Sequence, residues 1–375
     1  MRILLWGTYD TGKPRIRILR DGLGEVPGVE LGEIHASVWE GIEDKSQVHG
    51  MGQRLRLLAR WLLSYPSLAW RLLRAPRPDL LLVGYPGILD VLAALPIARL
   101  RHIPIAWDVF ISLYDTICHD RRLLSPGGMP GRLLRWIEGL ALRGADTVFM
   151  DTRAHARHVE QLFGLGDGRC GSVWVGAEIE RFPGTPPSTG PRDDAPMQVL
   201  FYGQFIPLHG IDTIIHAARR LRNEPIEWRI IGNGQVADRI RGMLSDDPLP
   251  QVQWLAWVDY GRLAHFIADA DLCLGIFGTS AKAANVIPNK VFQILAAGRP
   301  LVTRDSPAIR ELLSHSPPET YLVPPGDPDA LARAVLEHLP HRATAQMRQN
   351  DRSSAFGKAA IARQFLALIK ESATR

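Results

Sequence analysis

Residues 278–302 read GTSAKAANVIPNKVFQILAAGRPLV, which is the most informative stretch for the fold class. A glycine and alanine run leads to Pro288, which suits the first helical turn because that position needs no N–H. Apolar residues follow at helical spacing until Gly298-Arg299-Pro300 ends the helix and a short apolar strand begins. A helix that runs directly into a buried strand is typical of an α/β protein with parallel sheets.

The same alternation of short β-rich runs and helical segments covers the rest of the chain. It is interrupted at 183–191 (PGTPPSTGP), where four prolines cannot continue a helix or a central strand. We therefore expect two domains that bind a ligand at the carboxyl ends of their strands. The predicted parts are a Rossmann-like domain (1–182), a linker (183–196), a second Rossmann-like domain (197–350) and a C-terminal helix packed on the first domain (351–375).

Composition excludes several classes of protein. The 375 residues are 46% hydrophobic and 22% charged, which is ordinary for globular proteins. A net charge of +5 is too small for a dedicated nucleic-acid binder, so no nucleic-acid partner is expected. The three cysteines are far apart and exclude a disulfide framework or a cysteine-based zinc site. No secretory signal or clean apolar span is present in the sequence, which predicts a cytoplasmic location.

The helix after Pro288 is a candidate anion site. Lys290 and the free amides at this helix start could hold a diphosphate. Asn285 is a candidate cap upstream of the helix, and Gln293 lies one turn beyond Asn289 on the same face. The alternative is a plain crossover helix that carries one surface lysine.

Two glycine-rich loops in the second half are further candidates. Gly203 and Gly210 bracket a loop that contains Gln204 and His209, and His209 would lie beside a helix start at the mouth of the cleft. The alternative for His209 is a structural histidine. Gly232 and Asn233 belong to a glycine turn before the next helix, where they could contact a phosphate or a ribose.

The first half offers weaker candidates. Gly7 and Gly12 let the backbone approach a ligand after the first strand, although this is not the dinucleotide-binding fingerprint. The alternative is a plain turn in which Lys13 and Arg15 are solvated.

A polar, aromatic loop follows the strand that ends at Asp108. Asp108 could contact a ligand or act as a base toward an acceptor hydroxyl, and Tyr114 and Asp115 could hold that acceptor. The alternative for Asp108 is a helix cap or an ion pair with Arg121 or Arg122.

The second half resembles the C-terminal domain of the group 1 (family 4) glycosyltransferases, which have the GT-B fold. The resemblance rests on four motifs, listed here in chain order: Gly203-Gln204 with His209-Gly210, Gly232-Asn233-Gly234, Ala270-Asp271, and Ala296-Ala297-Gly298-Arg299-Pro300. It implies two Rossmann-like domains facing across a cleft, with the C-terminal helix returning to the first.

The resemblance also implies an activity and a set of site residues. The chain would move a sugar from a nucleotide diphosphate sugar to a glycan or lipid-linked acceptor, with retention and without a metal or other cofactor. Where the family has an Arg, a Lys and two Glu, this chain has Gln204, His209, Asn285 and Gln293. Lys290, helix amides and a protonated His209 are then the candidates to neutralise the leaving diphosphate, and Ile287 joins the donor-binding residues. The rivals are a sugar-nucleotide epimerase and a non-catalytic relative that binds nucleotide or glycan.

A basic amphipathic stretch precedes the strand predicted at 79–84. Residues 46–78 contain no acid, and arginines alternate there with leucines and two tryptophans. Residues 53–77 are therefore predicted to bind an anionic membrane surface, which would place the protein on the inner face of the cell membrane. The alternative is a crossover helix with a solvated arginine face.

Overall fold

The computed structural model describes residues 1–38, 51–182, 195–313, 319–341 and 355–374. The chain divides into two compact units. Unit 1 contains Met1–Val175 together with Lys358–Arg375, and unit 2 contains Gly176–Gly357.

Unit 1 is built on a six-stranded sheet in the order β2-β1-β3-β4-β5-β6, and every neighbouring pair is parallel. Its strands are β1 (Arg2–Gly7), β2 (Glu30–His35), β3 (Leu80–Val83), β4 (Ile105–Phe110), β5 (Thr147–Met150) and β6 (Cys170–Ser172). Its helices are α1 (Pro14–Gly24), α2 (Met51–Arg74), α3 (Ile88–Leu100), α4 (Met129–Gly144), α5 (Arg153–Phe163) and α13 (Lys358–Ala373). Parallel neighbours need crossover helices, which fits the alternation in the sequence.

The helices of unit 1 cover both faces of the sheet. Buried residues of α2, α3, α4 and α5 share one apolar core, and those of α1 and α13 share another. The C-terminal helix packs closely on α1, so that Gly22 has no space for a Cβ beside the Lys358 carbonyl. The predicted return of this helix to the first domain is therefore confirmed.

Unit 2 repeats the plan with a parallel sheet in the order β12-β11-β10-β7-β8-β9. Its strands are β7 (Met197–Tyr202), β8 (Ile226–Ile231), β9 (Val252–Leu255), β10 (Leu272–Leu274), β11 (Leu301–Arg304) and β12 (Thr320–Val323). Its helices are α6 (Ile211–Arg220), α7 (Ala237–Asp246), α8 (Tyr260–Asp269), α9 (Ala281–Asn285), α10 (Asn289–Ala296), α11 (Pro307–Leu312) and α12 (Pro328–His338). The predicted α/β class with two Rossmann-like halves is confirmed.

The boundary between the units lies earlier than the predicted one. Gly176–Phe182 belong to unit 2, because the Ala177 amide donates to the Phe356 carbonyl and Phe182 packs edge-on against the Tyr260 ring. The second boundary falls after Gly357, whereas the sequence placed it at 350. Residues 183–194 of the predicted linker lie outside the described residues.

The basic stretch 53–77 forms most of α2, and this helix has two different faces. Leu68 and Leu72 are buried in the core, and the Trp61 indole N–H donates to the Thr8 hydroxyl at 2.8 Å. This face therefore matches the crossover-helix interpretation. The other face leaves large apolar side chains exposed, namely Leu58, Leu62, Leu63, Trp70 and Leu73. The side chains of residues 53–55 lie outside the described part of the chain.

Candidate functional site

Lys290 lies at the centre of the candidate site in unit 2. It is the second residue of α10 and is buried, so the alternative of a surface lysine is wrong. Its Nζ lies 3.8 Å from the centroid of the Phe201 ring on β7. Within the part of the chain that the structure describes, this Nζ has no hydrogen-bond partner. Burial lowers the pKa of Lys290 well below its usual range, since a charge without a partner is poorly stabilised away from water.

Gly203 keeps the space beside this amine open. It follows β7 with a φ of +143°, in a region that favours glycine. A Cβ here would lie 2.9 Å from Lys290 Nζ and 3.0 Å from His209 Cε1. The glycine thus leaves room at the carboxyl end of β7, where the amine meets the backbone. We call Phe201, Gly203, His209 and Lys290 the Lys290 cluster.

His209 is the buried histidine of the cluster. Burial and the nearby charge of Lys290 lower its pKa well below its usual range. Its Nδ1–H donates to the Gln204 carbonyl, so in the neutral ring Nε2 carries the lone pair and can accept a hydrogen bond. The lowered pKa disfavours the predicted role of a protonated His209 at the diphosphate.

The two glycine-rich loops of unit 2 are bound to each other. The Gly203 amide donates to the Ile231 carbonyl at 2.9 Å, and the Phe205 amide donates to the Asn233 carbonyl at 2.8 Å. A Cβ on Gly232 would lie 1.9 Å from the Gly203 carbonyl oxygen. The fold therefore brings Gly203, Gln204, Gly232 and Asn233 together beside the Lys290 cluster, and the side chains of Gln204 and Asn233 are exposed.

The residues before Lys290 differ from the expectation in one respect. Asn285 is the last residue of the short helix α9 and does not cap α10, whose cap position is Pro288. Proline offers no side-chain hydrogen bond, so the first amides of α10 are not capped in that way. Ile287 is buried, whereas Asn289 is half-exposed at the first position of the helix.

Gln293 lies one turn after Lys290 and is held between two tyrosines. Its Oε1 accepts from the Tyr202 hydroxyl at 3.1 Å, and its Nε2 donates to the Tyr260 oxygen at 3.2 Å. The Tyr260 hydroxyl in turn donates to Glu178 at 3.0 Å. The side chain is buried and already hydrogen-bonded within the protein, so it orients α10 whether or not it also contacts a ligand.

Unit 1 holds the remaining predicted site residues, and most of them are buried. Asp108 has no exposed surface and makes a bidentate ion pair with Arg15, whose Nε and Nη2 each lie 2.8 Å from a carboxylate oxygen. An ion pair was the alternative for Asp108, but its partner is Arg15 and not Arg121 or Arg122. Arg15 is therefore buried rather than solvated. Burial raises the pKa of Asp108, and Arg15 opposes that rise.

The predicted acceptor residues are also enclosed. The Tyr114 ring lies edge-on to His119 and Phe163, and the Asp115 carboxylate lies 3.4 Å from His158 Nε2. Asp115 begins a six-residue π-helix (Asp115–Asp120), where the sequence suggested only a loop. Both side chains are buried in this structure.

Gly7 and Gly12 lie in unit 1 as well, and Asp90 explains the first of them. A Cβ on Gly7 would lie 2.5 Å from an Asp90 oxygen, and that carboxylate accepts from the Thr8 amide and from the Tyr65 hydroxyl. In the sequence, Asp90 lies inside the otherwise apolar stretch 80–98. An acid inside such a run is the signal that could have indicated a buried polar cluster. Gly12 is exposed.

A groove of about 900 Å³ lies elsewhere in unit 1, along the outer edge of β6. The backbone amides of Cys170 and Trp174 on this edge donate to Glu160 of α5 and Gln364 of α13. These side chains cap the edge strand against pairing with another strand. The groove does not include any predicted site residue.

The described residues contain neither a cluster of metal ligands nor a membrane-spanning helix. No group of three or more His, Cys, Asp or Glu side chains is placed to hold a metal ion in the described ranges. Among the helices of the described chain, none is both long and apolar enough to cross a membrane.

Family models match both units. The model for group 1 glycosyl transferases matches residues 196–341, and the model for the glycosyl transferase 4-like domain matches residues 33–171. The chain is 28% identical over 167 residues to the probable glycosyltransferase WbjE of Pseudomonas aeruginosa, which is 39% of each chain. It is 27% identical over 143 residues to the putative colanic acid biosynthesis glycosyl transferase WcaI of Escherichia coli, which is 38% of this chain and 35% of that one. The matches span less than half the length of these relatives.

Solved structures match over nearly the whole chain. Sucrose-phosphate synthase from Thermosynechococcus elongatus has a TM-score of 0.70 at 16% identity and covers 99% of this chain and 98% of its own. Anabaena HepE in complex with UDP-glucose has a TM-score of 0.66 at 14% identity and covers 99% of this chain and 100% of its own. At this identity the likeness shows the fold.

The two parallel α/β units and these structural neighbours define a protein of the GT-B fold. With matching family models in both units, the chain belongs to the group 1 glycosyltransferases.

Proposed function

We propose that the protein transfers a sugar from a nucleotide diphosphate sugar to a glycan or lipid-linked acceptor, as a hexosyltransferase-like enzyme that needs no metal or other cofactor. The observation that carries the proposal is the Lys290 amine, which is buried and has no hydrogen-bond partner in the described chain. A bound diphosphate would supply the missing partner. The names of the relatives and neighbours agree, since HepE is described with UDP-glucose.

The leaving diphosphate gains negative charge as the bond to the sugar breaks. In the proposed reaction the Lys290 ammonium and the first amides of α10 stabilise that charge, and they are positioned before the reaction begins. Diphosphate binding favours the charged form of Lys290, so donor binding is accompanied by proton uptake.

The other predicted residues have supporting roles in this proposal. Neutral His209 accepts a hydrogen bond from a donor hydroxyl through Nε2, and Gly203, Gln204, Gly232 and Asn233 line the nucleotide. Asn285, Ile287 and Asn289 contact the donor from the segment before Lys290. Gln293 positions α10 through Tyr202 and Tyr260.

Retention of the anomeric configuration is proposed by family resemblance, and unit 1 is proposed to hold the acceptor. Asp108 does not serve as the base in this proposal, because both of its oxygens are bound by Arg15. We propose that Tyr114 and Asp115 contact the acceptor and that Gly7 and Gly12 contact the donor. Because Gly7, Tyr114 and Asp115 are buried, their roles require the surrounding residues to move.

The cellular setting is also part of the proposal. The relative named for colanic acid biosynthesis favours synthesis of a surface polysaccharide. We place the protein in the cytoplasm, peripheral to the inner face of the cell membrane, where residues 53–77 contact anionic lipid. The exposed apolar face of α2 supports this contact.

A thermal-shift panel of nucleoside diphosphates and their sugars tests the donor site. A ligand that binds the native state raises the melting temperature by mass action. We expect stabilisation by nucleotides of one base that is unchanged by EDTA and lost in Lys290→Met. The matched control Lys370→Met changes an exposed lysine of α13 and should keep the response. No response to any nucleotide would contradict the proposal.

Turnover separates the enzyme from a relative that only binds. The stabilising donor is incubated with isolated membranes as a source of acceptor, and release of the nucleoside diphosphate is followed. We expect release in the wild type and a loss of at least a hundredfold in Lys290→Met, as for removal of one donor to a developing anion. Binding without release favours the non-catalytic relative, to which the replacement of the family's charged residues also points.

A further inference from the structure

Helix α4 presents an apolar stripe to solvent. Its large apolar residues recur every three or four positions and therefore lie on one helix face. They are Met129, Leu133, Trp136 and Leu140, with exposed fractions of 86%, 55%, 62% and 41%. The opposite side of α4 packs into the core of unit 1 through Ala141 and Leu142, with Leu134 and Ile137 partly buried against that core. The helix is therefore apolar on two sides, and the exposed stripe, which the core does not use, is a candidate contact surface.

The charges around the stripe are all of one sign. From Arg121 to Gly144 the sequence contains one acid, Glu138, and that side chain is buried and accepts from the amides of Leu113 and Tyr114. The exposed basic side chains of the segment are Arg122, Arg132, Arg135 and Arg143. A surface of exposed tryptophan, leucine and arginine without exposed acid is complementary to an anionic bilayer.

The stripe belongs to a larger layer of helices. α2, α3 and α4 cover the same face of the sheet of unit 1, and α3 packs against both of the others. The exposed apolar side chains of α2 include Trp70, which is stacked with Arg74 at 4.3 Å. α3 adds Leu100, which is 75% exposed. The outer surface of this layer therefore continues from α2 to α4.

We propose that the exposed face of α4 is a second contact with an anionic lipid bilayer, which acts together with α2. The stripe inserts at the level of the lipid headgroups, and the flanking arginines contact lipid phosphates. This inference takes its partner, an anionic bilayer, from the proposed membrane association. The site itself is new, because the sequence predicted membrane contact only for residues 53–77 and not for α4. Two helices on one layer would hold unit 1 in a fixed orientation to the bilayer.

Vesicle co-sedimentation tests the contact. The full chain is mixed with vesicles of phosphatidylcholine and phosphatidylglycerol, or of phosphatidylcholine alone, at low and high salt. We expect binding to the anionic vesicles, weakened by salt. The double variant Leu133→Ser and Trp136→Ser should bind about tenfold more weakly, because two apolar side chains no longer leave water. Arg132→Glu should weaken binding about fivefold or more.

Matched controls come from unit 2. Trp257 is 67% exposed, so Trp257→Ser removes a tryptophan of similar exposure, and Arg262→Glu reverses an exposed charge. Both should bind vesicles as the wild type does. The melting temperature and the nucleotide response of every variant should also equal those of the wild type, which separates this inference from the donor site.

Two results would overturn the proposal. In the first, the α4 variants bind vesicles as fully as the wild type, whereas the α2 double variant Leu62→Ser and Trp70→Ser does not bind them. That result would assign membrane association to α2 alone. The other is a wild-type dimer in light scattering that the α4 variants convert to monomer without any vesicle binding, which would assign the stripe to a second copy of the chain.

Discussion

Two buried basic side chains, one in each unit, differ in their partners: one is paired by the protein, and the other has no hydrogen-bond partner among the described residues. Arg15 in unit 1 donates to both oxygens of Asp108 and, at 2.6 Å, to the Val173 carbonyl. Lys290 in unit 2 faces the Phe201 ring and has no hydrogen-bond partner among the described residues.

The two sites differ in which group offsets the free-energy cost of burying the positive charge. Burial of a charge is costly unless it is paired, and in unit 1 the protein supplies the whole partner. In unit 2 the protein supplies only the face of the Phe201 ring. Such a ring stabilises a desolvated cation by about 2 kcal/mol. A site that binds an anion must keep its cation unpaired until the anion arrives.

The largest effect is expected where the internal pair is broken. Asp108→Asn leaves the Arg15 guanidinium buried without a counter-charge, and should lower the free energy of unfolding of unit 1 by about 3–5 kcal/mol. Urea unfolding followed by hydrogen exchange of the β4 amides measures this. The control Asp247→Asn breaks exposed pairs with Arg219 and Arg222 and should have a much smaller effect. Equal effects of the two variants would show that the buried pair is not structural.

A buried acid with only neutral partners should make stability depend on pH. Burial raises the pKa of Glu138 from 4.5 to about 7, although the amides of Leu113 and Tyr114 oppose the rise. The folded state then binds more protons than the unfolded state between these pH values, so stability falls as pH rises from 4.5 to 7, by about 3 kcal/mol in all.

Glu138→Gln should remove this dependence. Urea midpoints measured at several pH values should follow a flatter curve in the variant, whereas the exposed Glu371→Gln should follow the wild type. A variant curve as steep as that of the wild type would assign the dependence to other groups.

The sequence predicts the parts of each site that are local. Short stretches of sequence suffice to predict the glycine turns after β7 and β8 and the Pro-Asn-Lys start of α10, because each of them depends on a few consecutive residues. The fold follows from the same local patterns. β2 was missed because Glu30–His35 is a polar edge strand without an apolar run.

What the sequence does not predict depends on distant contacts. Arg15 and Asp108 are 93 residues apart, so their pairing could not be inferred from spacing. The pKa of His209 is lowered by burial and by Lys290, which a different helix brings beside it. For the same reason the start of unit 2 was placed too late, since Phe182 is assigned by its contact with Tyr260.

Removal of the unpaired cation should stabilise the ligand-free protein. Lys290→Met keeps the apolar stem and removes the buried amine, so the free energy of unfolding of unit 2 should rise by about 1–2 kcal/mol at neutral pH. The folded-state pKa of Lys290 lies below its ordinary value, so the cost of burying the charged amine disappears from the wild type as pH rises toward that ordinary value. The free energies of unfolding of the wild type and Lys290→Met should therefore become more similar between neutral and alkaline pH. A variant less stable than the wild type would mean that Lys290 already has a partner.

The smallest expected effect concerns the hydrogen bonds that hold α10 in place. Gln293 joins Tyr202 on β7 to Tyr260 on α8, and Tyr260 reaches Glu178 at the start of unit 2. Tyr260→Phe leaves the Gln293 amide and Glu178 without this partner, and should cost about 1 kcal/mol of the stability of unit 2.

A double-mutant cycle with Tyr202→Phe separates this network from simple packing. If Gln293 transmits the restraint between the tyrosines, the two changes should be non-additive by about 0.5 kcal/mol or more. The nucleotide-induced shift in melting temperature should also fall in both single variants, because Lys290 lies one turn from Gln293 on the same helix. Additive losses with an unchanged nucleotide response would mean that the tyrosines only pack, and that the position of Lys290 is fixed by Phe201 and Gly203 alone.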